Sequence, residues 1–195
     1  MQALTLRFQL VVDDLPKSAP ARSTLEDALD QADMVIAEGR DRVRDLRTRG
    51  DGEIERTISD IIKRQAFDPG VEITMTNTGA SRRLDPFVLD EATRIAREAI
   101  FNIWRHAGAH RVAIDITHGD SFSLRLADDG VGIAREVAAK GYREGHFGLS
   151  GMSERARNLG GRLIVRALPE GGTEVVLTVP RHVAYQSVER RVGAR

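Results

Sequence analysis

"RVAIDITHGDSFSLRLADDGVGI", Arg111–Ile133, holds two eight-residue runs that alternate apolar and polar side chains around Gly119-Asp120. A side-chain period of two predicts a strand over Arg111–His118 and another over Ser121–Asp128. A two-residue Gly-Asp link between such runs predicts a hairpin. A second pair follows downstream. "RLIVRAL" from Arg162 and "TEVVLTVP" from Thr173 are joined by Pro169-Glu170-Gly171-Gly172. Upstream, "VEITMTN" from Val71 alternates Val71, Ile73 and Met75 inward and adds a strand.

Helical periodicity fills the gaps. "EIERTISDIIKRQA" from Glu53 carries Ile54, Ile58, Ile61 and Ile62 on one side. Asp90–His106 predicts a long helix whose buried stripe is Ala92, Ile95, Ala96, Ala99 and Ile103. "GMSERARNLGG" from Gly151 is a short helix stopped by glycine. Ile133–Phe147 has weak periodicity and reads as a loop or lid. Two hairpins plus helices predict an α+β sandwich, one mixed sheet covered by helices on one face.

The first fifty residues differ in kind. Leu4, Phe8, Val11, Val12 and Leu15 make one helical stripe, broken by Pro16 and Pro20. Leu25, Ala28, Leu29, Ala32, Ile36, Gly39, Val43 and Leu46 make another, ended by "RTRGDG". The narrow, charge-flanked stripe predicts a helical hairpin over 1–49 that dimerises into a four-helix bundle, the favoured reading, or else packs on the rest of the same chain. Placing Leu15 opposite Arg22 puts Met1 opposite Ile36, so the first helix is expected to lack its beginning. The domain is expected over 50–181, and a polar, arginine-rich tail over 182–195.

Composition sets limits. The 195 residues are 41% hydrophobic, 30% charged and 5% aromatic, ordinary for a globular chain with an aliphatic core. Formal net charge is zero, which speaks against a general nucleic-acid binder. There is no cysteine, so disulfide and thiolate chemistry are excluded. No apolar run approaches bilayer length, and "MQALTLRFQL" lacks the marks of a signal peptide.

Four features carry chemistry. Glu98 and Asn102 share the border of a buried helical stripe, one turn apart, either solvated or facing a cavity together. Asp128, Gly130 and Gly132 form D-x-G-x-G. Glycine permits positive φ and close ligand approach. An ionised Asp only accepts hydrogen bonds and suits an exocyclic amine such as adenine's. "GHFGLSGM" sets Gly145, Gly148 and Gly151 before a helix, where backbone N–H groups attract phosphate, though neither Walker A nor G-x-G-x-x-G spacing is present. Thr173 opens the last strand after two glycines. Each alone has a plain structural explanation: a solvated boundary, a turn, a cap, a hairpin.

In this order the four are far more specific. They resemble the N-box, glycine boxes and closing Gly-Thr strand of the GHKL (Bergerat-fold) ATPases. "EATRIAREAIFNIWRHAGAHRV", "LADDGVGI", "GHFGLSGMSERARNLGGRL" and "GGTEVVLTVP", with "ALDQADMVIAEGRDRVRDLR" in the hairpin, resemble two-component sensor histidine kinases of the nitrate-sensor type. The resemblance implies an ATP site and transfer of the γ-phosphoryl to a histidine, for relay to a response-regulator aspartate. It implies that Asn102 holds Mg²⁺, Glu98 polarises the attacking imidazole or a water, and Asp128 takes the adenine amine. Gly130 and Gly132 would give the purine room, Gly148, Leu149, Gly151 and Met152 would hold phosphates, and Thr173 would support adenine recognition. Arg105 and His106 would sit near phosphate or compensate a helix C-terminus. His146 would be a lid residue within reach of phosphate. The implied partners are a second copy, through the hairpin, and a response-regulator receiver domain. The implied place is the cytoplasm, with no membrane or nucleic-acid contact by this stretch and any anchor upstream. The sequence departs from the family at the acceptor: His106, His110, His118, His146 and His182 all lie outside the hairpin. Autophosphorylation on the usual histidine is therefore not expected of this chain. Two rivals stand beside this reading: an anti-sigma-factor serine kinase, which would lack the hairpin, and a non-catalytic nucleotide-sensing module.

Overall fold

The computed structural model describes residues 52–133 and 148–185. The expected hairpin, all of the lid but Ile133, and residues 186–195 lie outside the described residues.

Helix α1 (Glu53–Gln65) opens with Glu53 and Glu55 and closes with Lys63 and Arg64, charges that oppose its dipole. Ile54, Ile58 and Ile61 form its buried side. After strand β1 (Glu72–Thr78), helix α2 runs Pro86–Asn102. It starts a turn before the expected Asp90. Pro86 brings a preset φ to the first turn, and the Asp85 carboxylate caps it by accepting from Phe87 N–H at 2.9 Å. The last turn, Ile103–Ala107, widens to π-helical geometry and ends on left-handed Gly108. Strands β2 (Arg111–His118) and β3 (Ser121–Asp128) match the predicted hairpin. Helix α3 (Gly148–Asn158) starts three residues earlier than predicted, and strands β4 (Arg162–Ala167) and β5 (Thr173–Pro180) follow.

The five strands lie in the order β1-β2-β3-β5-β4. β1 pairs parallel with β2, and the remaining pairs are antiparallel. The expected mixed sheet with helices on one face is therefore observed. Val112, Ile114, Ile116, Phe122, Leu124, Leu126, Leu177 and Val179 are buried under the helices. Ala92, Ala96 and Ala99 of α2 are buried to within 1% exposure and let that helix lie close to the sheet. Met75, expected inward, is 39% exposed. It sits on an edge strand with a neighbour on one side only.

The tail begins later than expected. Residues Arg181–Ala184 form a short helix α4, and Ala184 and Tyr185 are buried. Leu84 bridges Tyr185, and Asp85 N–H donates to Ala184 C=O at 2.9 Å, so this segment closes the sheet end beneath α2. There His118 is buried with Nε2 3.5 Å from Glu55 Oε1 and Nδ1 3.4 Å from the Tyr185 hydroxyl.

The opposite face of the sheet carries a charge ladder across four strands. Arg125 bonds Asp115 at 2.7 Å and Glu174 at 2.6 Å, and Arg166 bonds the second Glu174 oxygen. Burial raises the Glu174 pKa, but the bonds from Arg125 and Arg166 outweigh it and hold the carboxyl below its usual range. A depressed carboxylate stabilises the fold above its unfolded pKa and loses that contribution as pH falls through the folded value. Glu174→Gln is therefore expected to lower the urea midpoint at pH 7 by an amount equal to roughly 1–2 kcal/mol. The gap should narrow as pH falls through the folded pKa of Glu174. A pH-independent gap would show that charge is not its source.

Candidate nucleotide site

The period of β3 decides where the site begins. Phe122, Leu124 and Leu126 face the helices, and the next residue in that register is Asp128. Its carboxyl enters the same layer and is 4% exposed. Oδ1 accepts from Gly130 N–H at 2.9 Å, and Thr173 N–H donates to the same carboxyl. Burial pushes the Asp128 pKa above its ordinary value despite these two bonds. A buried acceptor that keeps unused lone pairs is a strong hook for a donor.

The glycines around it sit where side chains do not fit. A Cβ on Gly130 would lie 2.1 Å from Ala107 O, and one on Gly172 1.8 Å from Asp128 O. Gly132 has φ +76° and packs on Gly172 O at 3.0 Å by the same measure. The D-x-G-x-G loop thus nests against both the π turn of α2 and the Gly171-Gly172 turn before Thr173.

Glu98 and Asn102 stand half-buried on the border of α2, as their spacing requires. Asn102 Nδ2 donates to Glu98 Oε1 at 3.4 Å, which turns the amide oxygen away from the carboxylate. The Glu98 carboxylate fills the space beside Gly148, where a Cβ would fall 1.9 Å from Oε1. Among the described residues, a Cβ on Gly151 would meet nothing within 4 Å. Two groups therefore emerge: Asp128, Gly130, Gly132 and Thr173 around one carboxyl, and Glu98, Asn102 and Gly148 where α2 meets α3. Leu149 is half-buried against the core, and Met152 is 1% exposed and packs within it. Arg105 and His106 are exposed on the π turn. His146 lies outside the described residues.

Sequence reasoning passed over Asp129. Its Oδ1 accepts from His110 N–H and Arg111 N–H, both at 2.8 Å, and Oδ2 takes Arg111 Nε at 3.1 Å. The Arg111 backbone bond leads these in pulling its pKa down to about 2. The doubled acid before Gly130 was the available signal. Nothing in the sequence marks the π turn. A shallow cavity of about 380 Å³, walled by Arg111 and Asp129, opens on the other face of the sheet behind Asp128, away from Glu98 and Asn102.

Residues 88–183 match the family described as histidine kinase-, DNA gyrase B-, and HSP90-like ATPase. The chain is 29% identical over 148 residues to the signal transduction histidine-protein kinase/phosphatase DegS of Brevibacillus brevis, covering 74% of this chain and 37% of that one. It is 36% identical over 97 residues to the nitrate/nitrite sensor protein NarX of Escherichia coli, covering 49% of this chain and 16% of that one. It is 35% identical over 98 residues to the sensor histidine kinase NarS of Mycobacterium tuberculosis, covering 50% and 22%. The chain thus spans well under half the length of these relatives. The ATP-binding domain of PrrB from Mycobacterium tuberculosis superposes with a TM-score of 0.52 at 19% identity, covering 65% of this chain and 90% of that one. That likeness speaks to the fold alone. Through residues 88–183 the chain is thus similar to this ATPase family, and two of the three relatives carry histidine kinase in their names.

Proposed function

We propose that the cleft holds MgATP and that the chain is the catalytic region of a two-component sensor histidine kinase. The observation that carries this is Asp128: a buried, acceptor-only carboxyl at the end of an otherwise apolar register, flanked by the N–H groups of Gly130 and Thr173. That environment selects a purine bearing an exocyclic amine, and Gly130, Gly132 and Gly172 leave its ring room. The nucleotide's triphosphate then extends toward Asn102, Glu98 and the first turn of α3, where Gly148, Leu149 and Gly151 supply backbone N–H groups.

Among the described residues no cluster of three His, Asp or Glu side chains forms a metal site. Magnesium bound through phosphate oxygens and water needs only one hard protein ligand, and the Asn102 amide oxygen is suited to that. In the transfer, an imidazole nitrogen bonds to the γ-phosphorus as the bond to the ADP oxygen breaks, and Glu98 accepts the imidazole proton. The acceptor histidine is not within residues 1–49, since the five histidines are His106, His110, His118, His146 and His182. The phosphoryl group then passes to a receiver-domain aspartate. Residues 1–49 form the dimer contact, and residues 50–185 the catalytic domain. No described helix is long and apolar enough to cross a membrane. The region works in the cytoplasm.

The test mixes labelled ATP, this chain and a histidine-bearing hairpin from a full-length relative. Label is expected on the hairpin, and Asn102→Asp should shift the magnesium titration of that labelling. Tight ATP binding with no transfer would replace the kinase reading with a nucleotide-sensing module. An identical magnesium titration would remove Asn102 from the metal.

A further inference from the structure

Asp129 and the π turn lie at the joint between the two halves of the site. Its Oδ1 receives both His110 N–H and Arg111 N–H, and Asp129 N–H returns a bond to Arg111 C=O at 3.2 Å. Two residues on, Val131 N–H donates to Ala107 C=O at 2.9 Å, while Gly130 packs directly on that carbonyl. Every anchor atom therefore belongs to Ala107–Arg111, the segment that leaves the helix bearing Glu98 and Asn102. Between the two anchors sits Gly130, whose N–H orients the Asp128 carboxylate. The loop holds Asp128 and is itself held, on both sides of Gly130, by the end of the α2 segment.

We infer that Asp129 is a positioning residue that sets base selectivity, by fixing the Asp128 carboxylate relative to Asn102. The inference rests on the reading of the cleft as an ATP site. The chemistry is specific. Adenine offers an amine donor to Asp128, and guanine offers a carbonyl oxygen at the same place, which an ionised carboxylate repels. Discrimination needs the carboxylate held still, because a mobile loop admits water between carboxylate and base and levels the two. The π turn supplies the geometry: by widening the last turn it brings the Ala107 carbonyl under Gly130. Asp129 then ties the start of β2 to the same loop.

The experiment measures binding of MgATP and MgGTP to the whole chain by calorimetry, for the parent protein, Asp129→Ala and Asp129→Asn. The parent should prefer ATP. Asp129→Ala should weaken ATP about tenfold and shrink the ATP/GTP ratio by a similar factor. Asp129→Asn keeps an oxygen that accepts both backbone N–H groups, so it should restore the ratio even though the Arg111 side-chain pair is lost. A purely structural role would weaken both nucleotides equally and leave the ratio fixed. If Asp129→Ala does not fold, Asp129→Ser, whose hydroxyl is too short to bridge both N–H groups, is read in its place. An unchanged ratio in the Ala or Ser variant, or failure of Asn to restore it, would overturn the clamp. A parent protein with no ATP binding would instead overturn the assignment of the cleft.

Discussion

Asp128→Asn is expected to cost at least about 100-fold in ATP affinity, near 3 kcal/mol, while raising the thermal midpoint of the nucleotide-free protein at pH 7. The two effects come from one buried carboxyl. In the complex, an amide keeps only one accepting oxygen, and its other end aims an N–H at the adenine amine, so a donor is left facing a donor. In the free protein the sign reverses. Burial raises the folded pKa of Asp128 above its ordinary value, so the native state holds a proton more readily than the unfolded chain. Stability then falls as pH rises from the ordinary aspartate value through the raised one. Asn carries no such penalty and still accepts from Gly130 N–H. Calorimetric titration reads the first effect. Thermal melts at pH 7 and pH 3 read the second, which should vanish at the lower pH. Unchanged affinity would remove Asp128 from the site. A lower midpoint at pH 7 would show that its hydrogen bonds outweigh its desolvation.

Gly172→Ala should be the most destabilising of the glycine substitutions around the site. Gly172 has φ +89°, and an added Cβ would lie 1.8 Å from the Asp128 carbonyl oxygen and 2.7 Å from its carbon. Both obstacles are backbone, so neither yields by rotating a side chain. Left-handed strain and a main-chain displacement together cost about 3–4 kcal/mol, or a fall of roughly 10 °C for a chain of this size. Gly160→Ala is the control. Gly160 has φ +59°, but among the described residues nothing lies within 4 Å of the new methyl, so only the backbone strain of about 1 kcal/mol applies. Equal melting points for the two variants would show that the close approach to Asp128 carries no energy.

The elements read best from sequence were those whose pattern is local. The β2–β3 hairpin followed from alternation around Gly119-Asp120, and its boundaries match. The stripe on α2 followed from a 3.6-residue period, and all five of its members are buried. The N-terminus of α2 was missed because the Asp85 cap and Pro86 precede the first member of that stripe. Met75 was misplaced because alternation assigns a face but not an edge. The short α4 was read as tail because its burial depends on Leu84 and Asp85, about a hundred residues earlier.

The sequence by itself determined the strand faces, the helix stripes and therefore which side of the sheet each acid must take. Asp128 was bound for the apolar layer once β3 was known to be a strand, because side-chain alternation is fixed by covalent geometry. Only the tertiary structure decided which backbones touch. The parallel β1–β2 pairing, the π turn beneath Gly130, the Asp129 clamp and the Gly172 contact with Asp128 all join segments separated along the chain. Their energies arise from hydrogen bonds and close packing that exist only after those segments meet, and no local pattern of side chains encodes them.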